Sequence, residues 1–568
     1  MELLKVTNMK AIKYIAILVM TLGVGACTSD FEEINTNPNH ITTEEASAKF
    51  FLTGAQFNLY GPGRYAYWRA QLIHADRYAG QFTFGFNASW WNDGLGYTYN
   101  PGYTDAAWDW LAGYFGDLDN YMKLTATGGD FENPQMYAVG QIISGLYYQM
   151  YTDTFGQIPY SEVGDPEVLS PRFDDQATIY QGVINKLDEA MATIGDTERT
   201  GVGIEDLGAN DIYCGGDLQQ WKRLANTLKL RMALRAHGAS GASFAETAIS
   251  EALSAPLLET DVLMQKDNII SQWASAAYGD VWHNFGAGSN WKVSKPLVDY
   301  LQNHNDPRLG AYAQPIAGGE VTWVKPSEAD NPEGFENFDK RVDFIVEVLT
   351  EAGANPTVTR EGDEVTVSVE AGAYVGQPVR LNGFIKQYVQ DEFFSNPAEE
   401  IVRSKGGEKI PSEIVFTSAE AYFLQAEAAV KGLGSGDAQT LYETGIAQSM
   451  RMWGVSEGQI TTYLENASIA DLSGTTDEQL EKIAVQRWIA SYTDGFEAWA
   501  VVRDMGYPSE LSAGVSDPDI FAPGDINGAY PMRMQYGNAV KSENGDNYQS
   551  AISAQGPDKQ DVALWWAK

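Results

Sequence analysis

The chain has 568 residues and a formal net charge of −38, because its 76 acidic residues outnumber its 38 basic residues two to one. So acidic a surface disfavours nucleic acids and other polyanions, which need basic patches, and favours neutral or cationic ligands. Only two cysteines are present, Cys27 and Cys214, so the sequence indicates no disulfide framework and a hydrophobic core must hold the fold.

The N-terminal segment has the pattern of an export signal. Lys10 and Lys13 precede an apolar run over 14–26, which is shorter than the roughly 20 residues that a membrane span needs. Small residues close this run directly before Cys27, which is typical of a secretory signal and resembles a bacterial lipobox. We therefore predict a signal peptide over 1–26 and a diacylglycerol on the sulfur of Cys27, the mature N-terminus. The alternative is an ordinary signal peptide followed by an incidental cysteine.

Helical patterns follow a polar stretch over 27–42, which we interpret as a tether. Thr42 or Thr43 can cap the first helix, and helices dominate from there to about residue 253. A spacing of i, i+3, i+4 and i+7 marks one buried helix face at Trp221, Leu224, Ala225, Leu228 and Met232. The predicted helices of this part cover 43–60, 64–81, 104–126, 133–152, 176–194, 217–237 and 244–253.

The middle of the chain, residues 254–416, changes in character because glycine, proline and asparagine become frequent and apolar runs become short. Glu364–Glu370 alternates polar and apolar residues after a turn-like stretch from Arg360, so we predict a strand or a β-hairpin there. The tail from Pro508 is rich in loops. Helical patterns return over 417–432, 436–452, 456–466 and 475–492, so the sequence predicts a mostly α-helical fold with irregular insertions.

Motifs of catalytic chemistry are absent from the sequence. The histidines lack zinc-ligand spacing on a helix, and no HExxH, nucleophile elbow, phosphate loop or dinucleotide loop occurs. The oxygen-rich stretch Asp517–Asp525 could hold calcium, but it departs from the EF-hand pattern, so a solvated loop is the favoured interpretation. We expect no metal, no cofactor and no catalytic residue. A glycosidase carboxylate pair needs no fixed sequence spacing and stays open as an alternative.

Two glycine-bearing stretches, Ser89–Tyr99 and Asp280–Trp291, carry aromatic residues and asparagines without a helical or strand period. Aromatic rings suit ligands with an apolar face and a polar rim, and binding residues concentrate on loops held by a rigid scaffold. The alternative is a core plug beneath a long loop, and Trp323 is a weaker third candidate. The candidate ligand-binding residues are Trp90, Trp91, Asn92, Tyr97, Tyr99, Trp282, Asn284, Asn290 and Trp291.

Further short segments follow one another in a specific order along the mature chain. They are Phe31–Asn39, the Gly-x-x-Pro-Tyr-Ser turn within Asp153–Ser161, the helix Trp221–Arg235, Asp306–Leu309, Gly372–Pro378, Thr417–Gly432, Gln486–Ile489, Gly495–Trp499 and Arg503–Pro508. In this order they resemble the SusD/RagB family of nutrient-binding lipoproteins, in its SusD-like branch from Bacteroidetes. Residues 318–371 fall between two matching segments and look like an insertion.

The resemblance implies a SusD-like fold, in which tetratricopeptide-like helix pairs lie opposite an irregular ligand-binding face, here with a small β-hairpin. It implies one such domain over 43–568, after the lipidated N-terminus and tether over 27–42. Family members dock on a SusC-like TonB-dependent transporter, capture a glycan or a peptide for uptake, and are not enzymes. The implied location is the surface of the outer membrane, held through the lipid anchor.

The charged residues of the family-like helices favour a structural role. Arg231 and Arg235 lie four residues apart, and Glu420 and Glu427 lie seven apart, so each pair occupies one helix face. Buried charges must be paired to be tolerated. We predict intramolecular ion pairs among these residues, and the same interior role for Trp488, Glu497, Trp499 and Arg503.

The leading hypothesis from the sequence is a nutrient-binding surface lipoprotein. A secreted glycan hydrolase and a scaffold lipoprotein without a small ligand are the alternatives. α-Glucans, β-glycans, host glycans and peptides all stay open as ligands at this point.

Overall fold

Helices form most of the structure, a computed structural model that describes residues 46–84, 97–266, 278–284, 291–402 and 411–567. The predicted signal peptide, Cys27 and the tether lie outside these ranges. So do Trp90, Trp91, Asn92 and Asn290, and Asn284 is described only in its backbone. Within the described ranges, no helix is both long and apolar enough to cross a membrane.

The N-terminal half is built of long helices that begin at polar caps. The side chain of Asn133, for example, accepts a hydrogen bond from the backbone N–H of Met136 at 3.0 Å and starts helix α4. The helices are α1 (Lys49–Tyr60), α2 over 64–78 (Arg64–Ala66, the π-helical Tyr67–Ala75, and Asp76–Tyr78), α3 (Pro101–Thr125), α4 (Pro134–Phe155), α5 (Gln176–Ile194), α6 (Leu218–Ala236) and α7 (Ala245–Leu253).

Helices of very different lengths make up the rest of the chain, from four residues at Leu309–Tyr312 to 20 residues at Pro332–Glu351. Ser456 and Thr475 begin two of the later helices through capping boxes, in which the side chain and backbone of each cap bond reciprocally with the third residue of the helix. The helices are α8 (Tyr278–Asn284), α9 (Lys295–Asn303), α10 (Leu309–Tyr312), α11 (Pro332–Glu351), α12 (Ser418–Val430), α13 (Ala438–Met452), α14 (Glu457–Asn466), α15 (Thr476–Ala490), α16 (Gly495–Met505), α17 (Ser509–Ser512), α18 (Asn538–Glu543) and α19 (Gly545–Gln555).

Successive helices pack in pairs, as the family resemblance implies. Helix α4 packs on α5, α6 on α7, α12 on α13, and α15 on α16, while α12 also contacts α15. The predicted apolar face of α6 is fully buried, from Trp221 to Met232. Helix α12 is apolar nearly all round, and only side chains such as Tyr422 and Gln425 reach partial exposure. The mostly α-helical fold class is therefore confirmed.

Short antiparallel strands tie distant loops together. Strand β1 (Phe82–Phe84) pairs with β5 (Trp291–Val293), β2 (Ile158–Pro159) with β3 (Phe173–Asp174), and β4 (Val262–Met264) with β9 (Glu413–Phe416). The β1–β5 pair joins the two sides of the predicted aromatic loops, because Phe84 lies opposite Trp291 in the register.

The predicted insertion over 318–371 forms a small sheet covered by one helix. The predicted hairpin is confirmed, because β7 (Thr357–Glu361) and β8 (Glu364–Val369) pair antiparallel, and β6 (Gly319–Val324) flanks β8 on its other edge. The valines of β8 are buried, and so are the α11 residues Phe338, Val342, Ile345, Val348 and Leu349. Trp323 is buried too, and its indole N–H donates to the backbone oxygen of Gln387 at 3.1 Å, so this candidate belongs to the core rather than to a ligand surface.

Candidate functional site

A buried network of charges joins helices α4, α6, α12, α15 and α16. Arg231 Nε donates to Glu420 Oε1 at 2.7 Å, and Arg235 Nη1 donates to Asp153 Oδ2 at 2.6 Å. The other pairs of the buried ion network are Arg235–Glu497, Arg231–Glu497, Arg487–Glu427, Arg487–Glu420 and Arg487–Glu497. Trp488, Trp499 and Arg503 are buried as well, so the predicted ion pairs and interior role are confirmed.

The network sets the protonation of its members through their surroundings. Burial works against the charged form of Glu497, but Arg231, Arg235 and Arg487 outweigh it and lower the pKa of this carboxyl. Asp494, which caps α16 beside the network, shows the opposite balance. Burial, reinforced by the negative charge of Glu497, raises the pKa of Asp494 to about 7. These charges face one another, so they serve the fold rather than a ligand.

Two predicted ligand-binding residues, Tyr97 and Trp291, lie in the core. Trp291 is fully buried, with its ring centroid 6.2 Å from that of Tyr278. The Tyr97 hydroxyl donates to the backbone oxygen of Arg77 at 3.1 Å, and the Arg380 guanidinium lies 4.3 Å from its ring centroid. For these two side chains the structure fits the core-plug alternative, because Trp291 lies in the paired strand β5 and the Tyr97 ring is covered by Arg380.

Two other predicted residues, Trp282 and Tyr99, are only partly buried. The ring centroid of Trp282 lies 5.1 Å from that of Trp291, edge to face, so the core residue supports the more exposed one. The Tyr99 hydroxyl donates to Asn538 Oδ1 at 2.9 Å and lies 3.2 Å from Asp105 Oδ1. The structure therefore anchors Tyr99 beside helix α3. A ligand contact by Trp282 or Tyr99 stays a prediction.

A surface cleft of about 460 Å³ opens between helices α1, α2 and α3. We call it the aromatic cleft, and its lining residues are Asn58, Pro62, Gly63, Tyr65, Ala66, Arg69, Ala106, Asp109, Trp110, Gly113, Tyr114 and Asp117. The α3 residues recur every three or four positions, so they form one stripe of that helix. Sequence reasoning missed this site, because its residues come from three helices whose periodic patterns indicate core packing.

The walls of the aromatic cleft are fixed by hydrogen bonds to helix α1. The indole N–H of Trp110 donates to the backbone oxygen of Asn58 at 3.0 Å. The Asn58 side-chain N–H donates to Asp117 Oδ2 at 2.9 Å. Tyr65 on the opposite wall keeps 41% of its surface exposed. The cleft thus combines rigid backing with an accessible aromatic ring, the composition common in ligand pockets.

A second cleft, of about 690 Å³, lies between α14 and the end of α9 and has no charged side chain in its lining. Several of its polar groups are already used, since Ser456 and Gln459 form the capping box of α14 and the Asn466 amide donates to the oxygen of Thr462. Burial lowers the pKa of His304 in the same lining. This cleft therefore offers fewer groups for a ligand than its volume suggests.

The oxygen-rich loop Asp517–Asp525 is held by protein groups. Lys340 Nζ donates to Asp517 Oδ1 at 2.9 Å and to Asp519 Oδ2 at 2.7 Å. Asp525 Oδ2 accepts from the backbone N–H of Tyr99 at 2.7 Å. Among the described residues, no group of three or more His, Cys, Asp or Glu side chains could hold a metal ion.

Comparison with known proteins defines the class of this fold. Residues 38–537 match a SusD-like family described as "starch-binding associating with outer membrane". The chain belongs to this SusD-like family, because the match covers most of its length. Among curated proteins, no sequence matches the chain.

Solved structures share the fold over nearly their full length. A chitin-binding protein superposes with a TM-score of 0.68 at 22% identity, over 92% of this chain and 100% of its own. A SusD-like protein from Bacteroides thetaiotaomicron gives a TM-score of 0.68 at 23% identity, over 92% and 98%. A SusD homologue from Bacteroides ovatus gives 0.66 at 20%, over 91% and 98%. At such identities the likeness establishes the fold alone.

Proposed function

We propose that this protein is a cell-surface lipoprotein that captures a glycan and delivers it to a SusC-like TonB-dependent transporter of the outer membrane. The observation that carries this proposal is the match of residues 38–537 to a family of starch-binding proteins that associate with the outer membrane. The fold shared with a chitin-binding protein supports a glycan over a peptide. Lipid attachment at Cys27 follows from the lipobox-like context of that residue.

Two features of the described surface support glycan capture. The aromatic cleft offers a partly exposed tyrosine, Tyr65, and Trp282 extends from the core at the base of the second predicted loop. Sugar rings carry an apolar C–H face and a hydroxyl rim, so they suit aromatic surfaces with a few placed polar groups. The buried ion network, by contrast, leaves its charges to one another and supports no catalytic assignment.

The decisive experiment is a glycan array with the chain from Thr28 onward, followed by calorimetry on each hit. We expect saturable binding of at least one neutral oligosaccharide and no release of shorter products on prolonged incubation. Steady release of shorter products, abolished by changing one Asp or Glu, would establish a glycan hydrolase instead. Binding of peptides alone would replace the glycan by a peptide ligand.

The anchor and the transporter are tested separately from the ligand. Cys27→Ser should move the protein from the membrane fraction to the soluble fraction, because stable anchoring needs the several acyl chains of a lipidated cysteine. Extraction of the native protein in mild detergent should recover a large β-barrel with it. Retention of Cys27→Ser in membranes after a high-salt wash would contradict the lipid anchor. Purification of the native protein as a lone monomer in every detergent would contradict the transporter partner.

A further inference from the structure

The aromatic cleft holds an arginine that the rest of the described chain leaves unpaired. Arg69 makes no side-chain hydrogen bond or ion pair with a described residue, and its Nε is buried without a partner. The guanidinium carbon lies 4.8 Å from the ring centroid of Tyr65, 4.9 Å from that of Tyr103 and 5.4 Å from that of Trp68. Aromatic rings thus hold this charge in place of a carboxylate.

An unpaired arginine is unexpected in a chain with twice as many acidic as basic residues. Even the exposed Arg360 pairs with Asp339 and Asp343. Aromatic rings around a guanidinium attract its charge but do not accept its N–H groups as a carboxylate would, so those groups stay available to other acceptors. The guanidinium N–H groups of Arg69, at the wall of the cleft, are therefore available to donate hydrogen bonds to oxygen atoms of a ligand.

The same cleft holds an acceptor that is also unused. Asp109 makes no side-chain hydrogen bond or ion pair with a described residue, although it lines the cleft together with Arg69. Burial, with the nearby charges of Asp105 and Glu543, raises the pKa of Asp109. Asp117 adds a further carboxylate to the lining. With more acids than bases in the cleft, an anionic ligand is disfavoured.

We propose that a neutral pyranose unit of a bound glycan occupies the aromatic cleft. One sugar face lies on the Tyr65 ring, one of two neighbouring hydroxyls accepts from Arg69, and the other donates to Asp109. The proposal rests on the proposed function and assigns glycan contacts to helices α2 and α3. Two further observations support it. The cleft volume of about 460 Å³ falls in the range of small-molecule sites, about 300–1,000 Å³, and Arg69 lies in a π-helical segment, a form frequent at functional sites.

The test uses the chain from Thr28 onward and four probes: maltohexaose, cellohexaose, chitohexaose and the acidic hexagalacturonate. For the neutral probe that binds, Arg69→Gln and Asp109→Asn should each weaken affinity at least tenfold, because each leaves a hydroxyl without its charged partner. Arg360→Gln is the matched control, since it removes an exposed arginine elsewhere, and it should leave affinity within twofold.

A variant that fills the cleft tests the site in a protein that stays folded. A Cβ built at Gly113, in the cleft stripe of α3, meets nothing within 4 Å, and the same holds at Gly116, which does not line the cleft. Gly113→Leu should therefore block binding in a folded protein, and Gly116→Leu should not.

Three outcomes would overturn the proposal. If a neutral probe binds and Arg69→Gln, Asp109→Asn and Gly113→Leu all stay within twofold, the cleft is not a sugar site, while the proposed function stands. A stronger response to hexagalacturonate, lost in Arg69→Gln, would replace the neutral sugar by a carboxylate ligand. If no neutral oligosaccharide, among these probes or on the glycan array, binds the wild-type chain, glycan capture and this inference fail together.

Discussion

The buried ion network and the aromatic cleft both contain arginines and carboxylates, but they use them in opposite ways. In the network, Arg235 pairs with both Asp153 and Glu497, and none of these side chains is exposed. In the aromatic cleft, Arg69 and Asp109 share a lining without pairing with each other or with another described residue. The buried charges hold helices together, whereas Arg69 is only half-buried and Asp109 is exposed, so these are the charges that we propose contact a ligand.

The largest expected effect comes from breaking the network. Arg235→Met leaves the buried Asp153 carboxylate without its arginine and removes one of the three arginines around Glu497, so the free energy of unfolding should fall by about 3–5 kcal/mol. Chemical denaturation measures this loss. Arg360→Met removes an exposed arginine and should cost at most about 1 kcal/mol. Equal losses of stability in the two variants would show that a buried ion pair contributes no more to the fold than an exposed one.

The two tryptophans of the Asp280–Trp291 stretch should also differ in how much each contributes to stability and to binding. Trp291→Ala removes a fully buried ring and should lower the free energy of unfolding by about 3–5 kcal/mol. Trp282→Ala should cost less stability, because its ring is only partly buried. If Trp282 contacts the glycan, its loss weakens affinity about 5- to 150-fold. Thermal melts beside binding isotherms measure both effects, and a folded Trp291→Ala with wild-type stability would contradict the core assignment.

The sequence predicts the network better than the binding surface, for a physical reason. Arg231 and Arg235 stand on one face of a long periodic helix, and a charge on a buried face has to find a partner inside the protein. The aromatic loops carry no such period, so Trp291 could equally be exposed or buried until the β1–β5 pairing was known. Arg69 was missed because an arginine on a helix is usually solvated or paired. Its isolation depends on contacts between α2 and α3 that no local pattern encodes.

A pH titration should show that Asp494, beside the buried ion network, destabilises the fold when it is ionised. The folded state raises the pKa of Asp494 from 3.8 to about 7, so it holds this proton more tightly than the unfolded chain does. Asp494 therefore lowers the free energy of unfolding as the pH rises from 3.8 to about 7, at about 1.4 kcal/mol per pKa unit, and the cost is complete above that range.

Asp494→Asn should remove this slope and raise stability at pH 8. The amide oxygen can still accept from the backbone N–H of Glu497, which the Asp494 carboxylate does at 3.3 Å. Denaturation curves between pH 4 and 8 measure the change. Asp437→Asn, at the exposed cap of α13, is the matched control and should leave the slope as it is. An unchanged slope in Asp494→Asn would mean that another group titrates here.

The smallest expected change in stability comes from substituting two glycines of helix α3, and it can be measured separately from ligand binding in the aromatic cleft. Gly113 and Gly116 both lie inside α3 with open space where a Cβ would stand. Leucine has a higher helix propensity than glycine, so each of Gly113→Leu and Gly116→Leu should raise the free energy of unfolding by roughly 0.5–1 kcal/mol.

Only Gly113→Leu should lose affinity for a neutral hexasaccharide, because only its side chain enters the cleft. Denaturation and calorimetry on the same preparations measure both quantities. A gain in stability with an equal loss of affinity in both variants would place the ligand contact along the whole exposed face of α3 rather than in the cleft.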